Sequence, residues 1–223
     1  MKAAVISFPG SNCDFDMYYA LNEFGVSTDI ISANTTDLST YDAIFLPGGF
    51  AYGDYLRTGA VARFSPVMSA VSQAAYEGKY VVGICNGFQI LTEAGLLPGQ
   101  LRGNAKPGFI CDEVLLNVAN GNTAFSSNYG ENAQIKIPVA HGEGNFYADD
   151  TTLQSLHDNN QVVFTYNEDI NGSADNIAGI TNEKGNVFGM MPHPERAIDE
   201  LLGNTDGQGF FKSLVETLVA KVG

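Results

Sequence analysis

Lys79 to Ala94 reads KYVVGICNGFQILTEA. Tyr80-Val81-Val82-Gly83-Ile84 is a continuous apolar run, the pattern of a parallel strand buried on both faces. Asn86 to Thr92 reads as the first turns of a helix. Cys85 stands between them, with Gly83 two residues before it and Gly87 two after. This is the small-x-nucleophile-x-small spacing of a nucleophile elbow, a strand-to-helix turn crowded enough to demand small neighbours. The turn lifts the nucleophile above the carboxyl end of a sheet, at a helix N-terminus. Unpaired N–H groups and a partial positive charge there favour the thiolate. The competing reading is a buried core cysteine, and the flanking glycines weigh against it.

Outward from the elbow, the first half of the chain alternates strand and helix. Lys2 to Ser7 is a strand ended by Phe8-Pro9-Gly10. Asp14 is placed to cap a helix carrying Met17, Leu21 and Phe24 on one face, closed by Gly25. Thr28 to Ser32 and Tyr41 to Leu46 are further strands. Ser65-Pro66 reads as an N-cap with proline at the first helical position, ahead of Val67, Val71, Ala74 and Ala75 and a closing Gly78. This alternation implies an α/β fold, a largely parallel central sheet with helices on its faces. After Gly95 the texture changes to strands with few helices: 109–118, 133–139, 161–166 and 177–181. Glu183-Lys184-Gly185-Asn186 then turns as a hairpin into 187–191. Antiparallel strands are therefore expected in the second half, with an amphipathic helix over 207–219 closing one domain that spans residues 1–223.

A second chemical element lies late in the chain, at Met191-Pro192-His193-Pro194-Glu195-Arg196. Pro194 restrains His193 to extended backbone, and in an extended segment positions i and i+2 share a side. Imidazole and carboxylate then stand together, as in a Cys-His-acid triad. Pro47-Gly48-Gly49-Phe50 ends a neighbouring strand. The backbone N–H groups of Gly49 and Asn86 are candidates for an oxyanion hole, although a Gly-rich turn is also ordinary in α/β proteins. A metal site at Cys85, His193 and Glu195 is the weaker alternative, because the elbow favours a nucleophile over a ligand.

Composition narrows the function classes. The chain has 223 residues, 44% of them hydrophobic, enough for a sizeable core. Its net charge of −14 makes it a poor candidate for binding nucleic acid, which calls for clustered Lys and Arg. Three scattered cysteines form no disulfide framework and fit a reducing, cytoplasmic compartment. No apolar run is long enough for a membrane span, and the N-terminus reads as a strand rather than a signal peptide.

GICNGFQ, PGGF and the late HPE resemble the class I, triad-type glutamine amidotransferases, whose fold is flavodoxin-like. The resemblance implies Cys85 as nucleophile, His193 as base, Glu195 as its orienting acid, Gly49 and Asn86 as backbone oxyanion donors, and Gln89 as a contact to bound glutamine. Longer blocks at 8–14, 46–66, 85–99, 137–146 and 185–197 are similar to one branch of that family. In that branch the glutaminase is a separate chain of a synthase in de novo purine biosynthesis. The implied partners are glutamine, a large synthetase subunit and a small bridging subunit. ATP and magnesium are used on the synthetase, and no cofactor or metal on this chain. The absence of a GxxxxGK[ST] phosphate loop agrees with that division. A cysteine hydrolase or glyoxalase-like enzyme of the same fold, or a catalytically silent binding subunit, is the alternative. The former usually carries histidine directly after the elbow cysteine, where this chain has Asn86.

Other polar residues are read more plainly. His141 either lines the glutamine pocket or is a satisfied loop histidine. His157 is a solvated residue of a short polar helix. Cys13 either stands near the carboxyl end of the sheet or packs, the latter being favoured, and Cys111 is a core residue of a strand. Arg57, in the YGDYLRTG stretch, either faces the synthetase or makes a surface salt bridge. The region 104–132, apart from its strand, carries little signal.

Overall fold

The computed structural model describes residues 1–222. In chain order the elements are β1 (Lys2–Ser7), α1 (Asp14–Glu23), β2 (Ser27–Ser32), β3 (Ala43–Leu46), α2 (Val67–Tyr76), β4 (Tyr80–Ile84), α3 (Asn86–Glu93) and β5 (Gln100–Arg102). There follow β6 (Ile110–Val118), β7 (Gln134–His141), β8 (Asn145–Tyr147), α4 (Asp150–Asp158), β9 (Val162–Tyr166), β10 (Ile177–Thr181), β11 (Val187–Met190) and α5 (Gln208–Val222). One nine-stranded sheet runs β2-β1-β3-β4-β11-β10-β9-β6-β7, and β5 pairs with β8 separately. The pairs from β2 to β11 are parallel, and those from β11 to β7 antiparallel. The strands that follow Gly95 thus pair antiparallel, apart from the parallel edge that β11 shares with β4.

Strand β4 is buried at every position, as a central strand covered on both faces must be. Its register sets the site. Leu46 of β3 and Gly189 of β11 both pair with Gly83, and Met190 pairs with Ile84. The three strands therefore end at one level, and the segments that follow them, Pro47-Gly48-Gly49, Cys85 and Met191-Pro192-His193, emerge side by side at the carboxyl edge. Under the sheet Phe125 stacks on Phe188 at 4.5 Å between centroids, and Phe210 of α5 closes the cluster. Phe210, Phe211, Leu214 and Leu218 are all buried and form the apolar face of the amphipathic helix expected there.

Several expected details differ. The helix caps at Asp14 and Ser65 are not made. Asp14 accepts from Ser7 Oγ at 2.7 Å, and Ser65 Oγ meets the Tyr52 hydroxyl at 2.9 Å. A tertiary partner has outcompeted the local helix end in each case. Phe109 precedes β6 and is half-exposed, whereas β7 runs on to include His141. Cys111 is exposed rather than core, because β6 turns it outward near the start of its pairing with β7.

Candidate active site

Cys85 is built as the spacing requires. Its φ of +51° is in the region that L-residues rarely occupy, and its N–H is held by the Met190 carbonyl at 2.8 Å. A methyl group on Gly83 would strike the Gly87 carbonyl, and one on Gly87 would strike the Leu46 carbonyl. Both positions are therefore glycine for want of space, and helix α3 lies directly against β3 and β4.

His193 and Glu195 meet as expected, by a different backbone. Nδ1 of His193 is 2.7 Å from Glu195 Oε1, with both side chains buried. Pro194–Arg196 is one turn of 3-10 helix rather than extended chain. His193 itself stays outside the helical region, as a residue before proline should. Its N–H is anchored to the Pro138 carbonyl at 2.8 Å. Burial opposes a charged imidazole, but the Glu195 carboxylate and the nearby Cys85 and Cys13 thiols outweigh it and hold the His193 pKa well above the usual histidine range. Nδ1 is engaged by the carboxylate, and the buried Nε2 makes no hydrogen bond. Cys85 Sγ points at the Ala140 carbonyl, 3.6 Å away.

The candidate oxyanion donors stand beside Cys85. Gly49 has φ +145°, and a Cβ there would lie 2.7 Å from the Asn12 nitrogen, so only glycine fits. Asn86 opens α3, where the first N–H groups have no helical acceptor. The Asn86 side chain accepts from Ala51 N–H at 3.0 Å and donates to Gln89 Oε1 at 2.9 Å. Gln89 Nε2 donates to the Glu143 carbonyl at 2.7 Å. The Gln89 amide thus ties the nucleophile's helix to the 142–144 loop, leaving one N–H and one lone pair for a ligand.

Residues to which the sequence reading gave no catalytic role also belong here. Cys13 is buried in the site, not in the packing core. Its N–H donates to the Gly48 carbonyl, and Arg196 Nη2 lies 3.1 Å from its Sγ. Asn104 ties its own loop, through Gly108, to the 141–144 turn, through His141 and Gly144. His141 is buried with Nδ1 on Asn104 Oδ1 at 3.1 Å. Burial, then the charge of His193, takes its pKa down to about 4, so it stays neutral beside the other imidazole. Asp54 and Glu143 bring two carboxylates within electrostatic reach of each other. Burial, then Glu143, pushes Asp54 up to about 6. Arg57 makes the surface salt bridge, a two-point contact to Glu93 at 2.6 and 2.7 Å. His157 is exposed and pairs with Asp175 at 2.9 Å.

The thiols and His193 line a cavity of about 70 Å³, with the exposed rings of Phe50 and Phe109 also in its wall. That is room for about two water molecules, at roughly 30 Å³ each. It is well short of the roughly 300 Å³ at which metabolite pockets begin. The 51–57 loop beside it holds Tyr52, Asp54 and Leu56 at positive φ, a backbone strain kept by its surroundings.

Residues 1–211 match the family model described as the CobB/CobQ-like glutamine amidotransferase domain. Two curated relatives, each a phosphoribosylformylglycinamidine synthase subunit PurQ, come from Lacticaseibacillus paracasei and Lacticaseibacillus casei. Each is 60% identical over 216 residues, covering 96% of this chain and 95% of its own. Among solved structures, PurLQS from Thermotoga maritima has a chain 46% identical with a TM-score of 0.91, covering 97% of this chain and 98% of that one. A glutamine amidotransferase from Thermotoga maritima shares the fold at TM-score 0.66 and 17% identity, covering 98% of each chain.

Proposed function

The chain belongs to the CobB/CobQ-like glutamine amidotransferase family, and from that premise we propose that it is the glutaminase subunit of a phosphoribosylformylglycinamidine synthase. The single observation that carries the chemistry is the buried His193–Glu195 pair beside an elbow cysteine. The choice of synthase is supported by relatives 60% identical over nearly their whole length.

In this reading Cys85 thiolate attacks the side-chain carbonyl of glutamine. The oxyanion is received by the N–H groups of Gly49 and Asn86, each worth about 3 kcal/mol in comparable sites. His193, oriented by Glu195, protonates the departing ammonia and then activates water to release glutamate from the thioester. Gln89 offers its remaining hydrogen-bonding positions to the substrate, and the carboxylates of Asp54 and Glu143 favour a ligand bearing an ammonium group. Ammonia passes to a large synthetase subunit, which with ATP and magnesium converts formylglycinamide ribonucleotide to formylglycinamidine ribonucleotide. A small subunit bridges the two. Free ammonia is protonated in bulk water at neutral pH and so is a poor nucleophile, a reason for a covered path between the sites.

The cavity of about 70 Å³ supports one further part of the reading. The isolated chain holds its site too closed for glutamine, and docking of the loaded synthetase opens it by moving the strained 51–57 loop. Uncoupled hydrolysis is thereby suppressed. Among the described residues no helix is long and apolar enough to cross a membrane. The reading is tested with a diazoketone analogue of glutamine, which alkylates the nucleophile of such sites. Peptide mass spectrometry is expected to find the adduct on Cys85, formed faster in the full complex. Label on Cys13 or Cys111 instead would overturn the assignment.

A further inference from the structure

Strand β6 has a backbone edge that nothing in this chain covers. The Asn167 N–H donates to the Leu115 carbonyl and the Ala119 N–H to the Val163 carbonyl, each at 2.9 Å. Odd-numbered residues of β6 therefore turn their backbone groups toward β9. On the other side the Val118 N–H donates to the Ala133 carbonyl at 2.9 Å, so even-numbered residues face β7. Pairing with β7 runs from Ile110 to Asn117, whereas pairing with β9 is confined to Leu116–Val118. After Asn167 the β9 chain is drawn away from β6. The Gly172 N–H folds back on Asp169 Oδ1 at 2.7 Å, and the Ala105 N–H holds the Asn171 carbonyl at 2.9 Å. Cys111 and Glu113 are left facing an empty side. Asp112 Oδ1 takes the Glu113 N–H at 2.8 Å. The Cys111 N–H and the carbonyls of Cys111 and Glu113 have no partner among the described residues.

The space beside this edge is a groove of about 740 Å³, bounded by β6 and by segments 106–108 and 168–170. The carboxylates of Asp112, Glu113, Glu168 and Asp169 outnumber the cations of Lys106 and Lys136, and Lys136 is already bound to Glu113 at 2.7 Å. Charges on an edge strand often serve only to keep other strands away. Here they are mostly of one sign and leave room beside the edge, so they select a partner of opposite charge. Phe109 links the groove to the candidate active site. Its ring lines both the groove and the cavity of Cys85 and His193, 6.4 Å from the ring of Phe50. We propose that residues 110–115 accept an extended segment of a partner subunit, bearing lysine or arginine, as an added strand. Main-chain hydrogen bonds to Cys111 and Glu113 hold it, and the carboxylates select its basic side chains. Six residues of β6 offer about 17 Å of edge, and the new strand lies about 4.8 Å away. It seats against Phe109 and so fixes one wall of the cavity, which couples assembly to the site. That the partner is a subunit of the synthase rests on the glutaminase reading.

The test is hydrogen exchange, read by mass spectrometry, on the chain alone and assembled with the large and small partner subunits. The Cys111 amide is expected to exchange freely in the chain alone and at least about 10-fold more slowly in the complex. A basic segment of one partner subunit should gain protection with it. Cys111→Pro deletes the N–H that faces the groove and leaves the β7 ladder intact, whereas Cys111→Ser keeps that N–H. Proline should weaken binding of the partner subunits about 10-fold, and serine less than about twofold. Glu168→Lys should weaken it about 10-fold as well. Thermal melts verify that each isolated variant is folded, and if Cys111→Pro is not, the exchange data and Glu168→Lys decide. An assembled complex in which Cys111 exchanges as it does in the chain alone, or in which folded Cys111→Pro binds as Cys111→Ser does, overturns the proposal. Protection by a segment without basic residues overturns the selection by charge. A complex that protects Cys111 but releases no ammonia from glutamine counts against the glutaminase reading and supports the added strand. A folded chain that does not assemble with these subunits overturns both.

Discussion

Replacing Gly83 by alanine probes the elbow without touching any reacting group. The added methyl would lie 2.5 Å from the Gly87 carbonyl oxygen, 2.6 Å from its carbon and 2.6 Å from Leu91 Cδ1. Ordinary contact begins at 3.4 Å, so the start of α3 must retreat by about 3.4 − 2.5 = 0.9 Å. Two of the three neighbours are backbone, so a side-chain rotation alone cannot relieve the clash. Overpacking of this kind costs about 1–3 kcal/mol, partly offset by about 0.4–1 kcal/mol from the stiffer unfolded chain. A net loss of about 1–2 kcal/mol lowers the Tm of a chain this size by about 2–8 °C. The catalytic effect should be larger in proportion. The retreating helix carries the Asn86 N–H, and a displacement near 1 Å at a reacting centre costs about 100-fold in rate. The assay is ammonia release by the full complex, well below the melting temperature, alongside a thermal melt of the isolated chain. An unchanged Tm with kcat within about twofold of wild type would refute the close-packed elbow and the positioning argued from it.

Glu195→Gln keeps an acceptor for Nδ1 but removes the charge that holds the His193 pKa up. Ammonia release should fall about 100-fold or more, and the inflection of its pH profile belonging to His193 should move to lower pH. An unmoved profile would separate Glu195 from the chemistry. Asp54→Asn tests the carboxylate pair by stability. The folded-state pKa of Asp54 is raised to about 6 from an ordinary 3.8, so the folded chain binds more protons between those values and loses stability as pH rises through that window. Allowing for its solvent contact, the penalty above pH 6 is about 1 kcal/mol. Asn at this position should therefore raise Tm by about 2–4 °C at pH 8 and leave it unchanged at pH 4. Equal melting of the two proteins at both pH values would remove the argument that the Asp54 carboxylate is unfavourably placed.

The parts of the fold and site that were legible in the sequence are those set by local chemistry. The apolar run before Cys85 and the glycines flanking it specify the elbow, because crowding there acts over two residues. The hairpin from β10 to β11 was readable for the same reason. His193 and Glu195 meet across one intervening proline, although the turn that joins them is 3-10 rather than extended. Legibility ends where a contact spans the chain. Cys13 follows β1 and enters the site through the Gly48 carbonyl and the Arg196 guanidinium, contacts with segments about 35 and 180 residues away. Asn104 binds His141 and Gly144 about 40 residues on, with no spacing rule to announce it. Ser65 and Asp14 carry strong capping signals, yet both found tertiary partners. Arg57 and Cys111 show the converse, residues of suggestive type whose surroundings are a salt bridge and a solvent-facing strand.

The most direct test of the account is ammonia release from glutamine by wild-type chain and Cys85→Ala. Each is measured alone and with the large and small partner subunits, ATP, magnesium and formylglycinamide ribonucleotide. The account predicts little release from either chain alone, strong release from the assembled wild type, and none from assembled Cys85→Ala. Comparable release by folded Cys85→Ala, or no release from the assembled wild type, would contradict it.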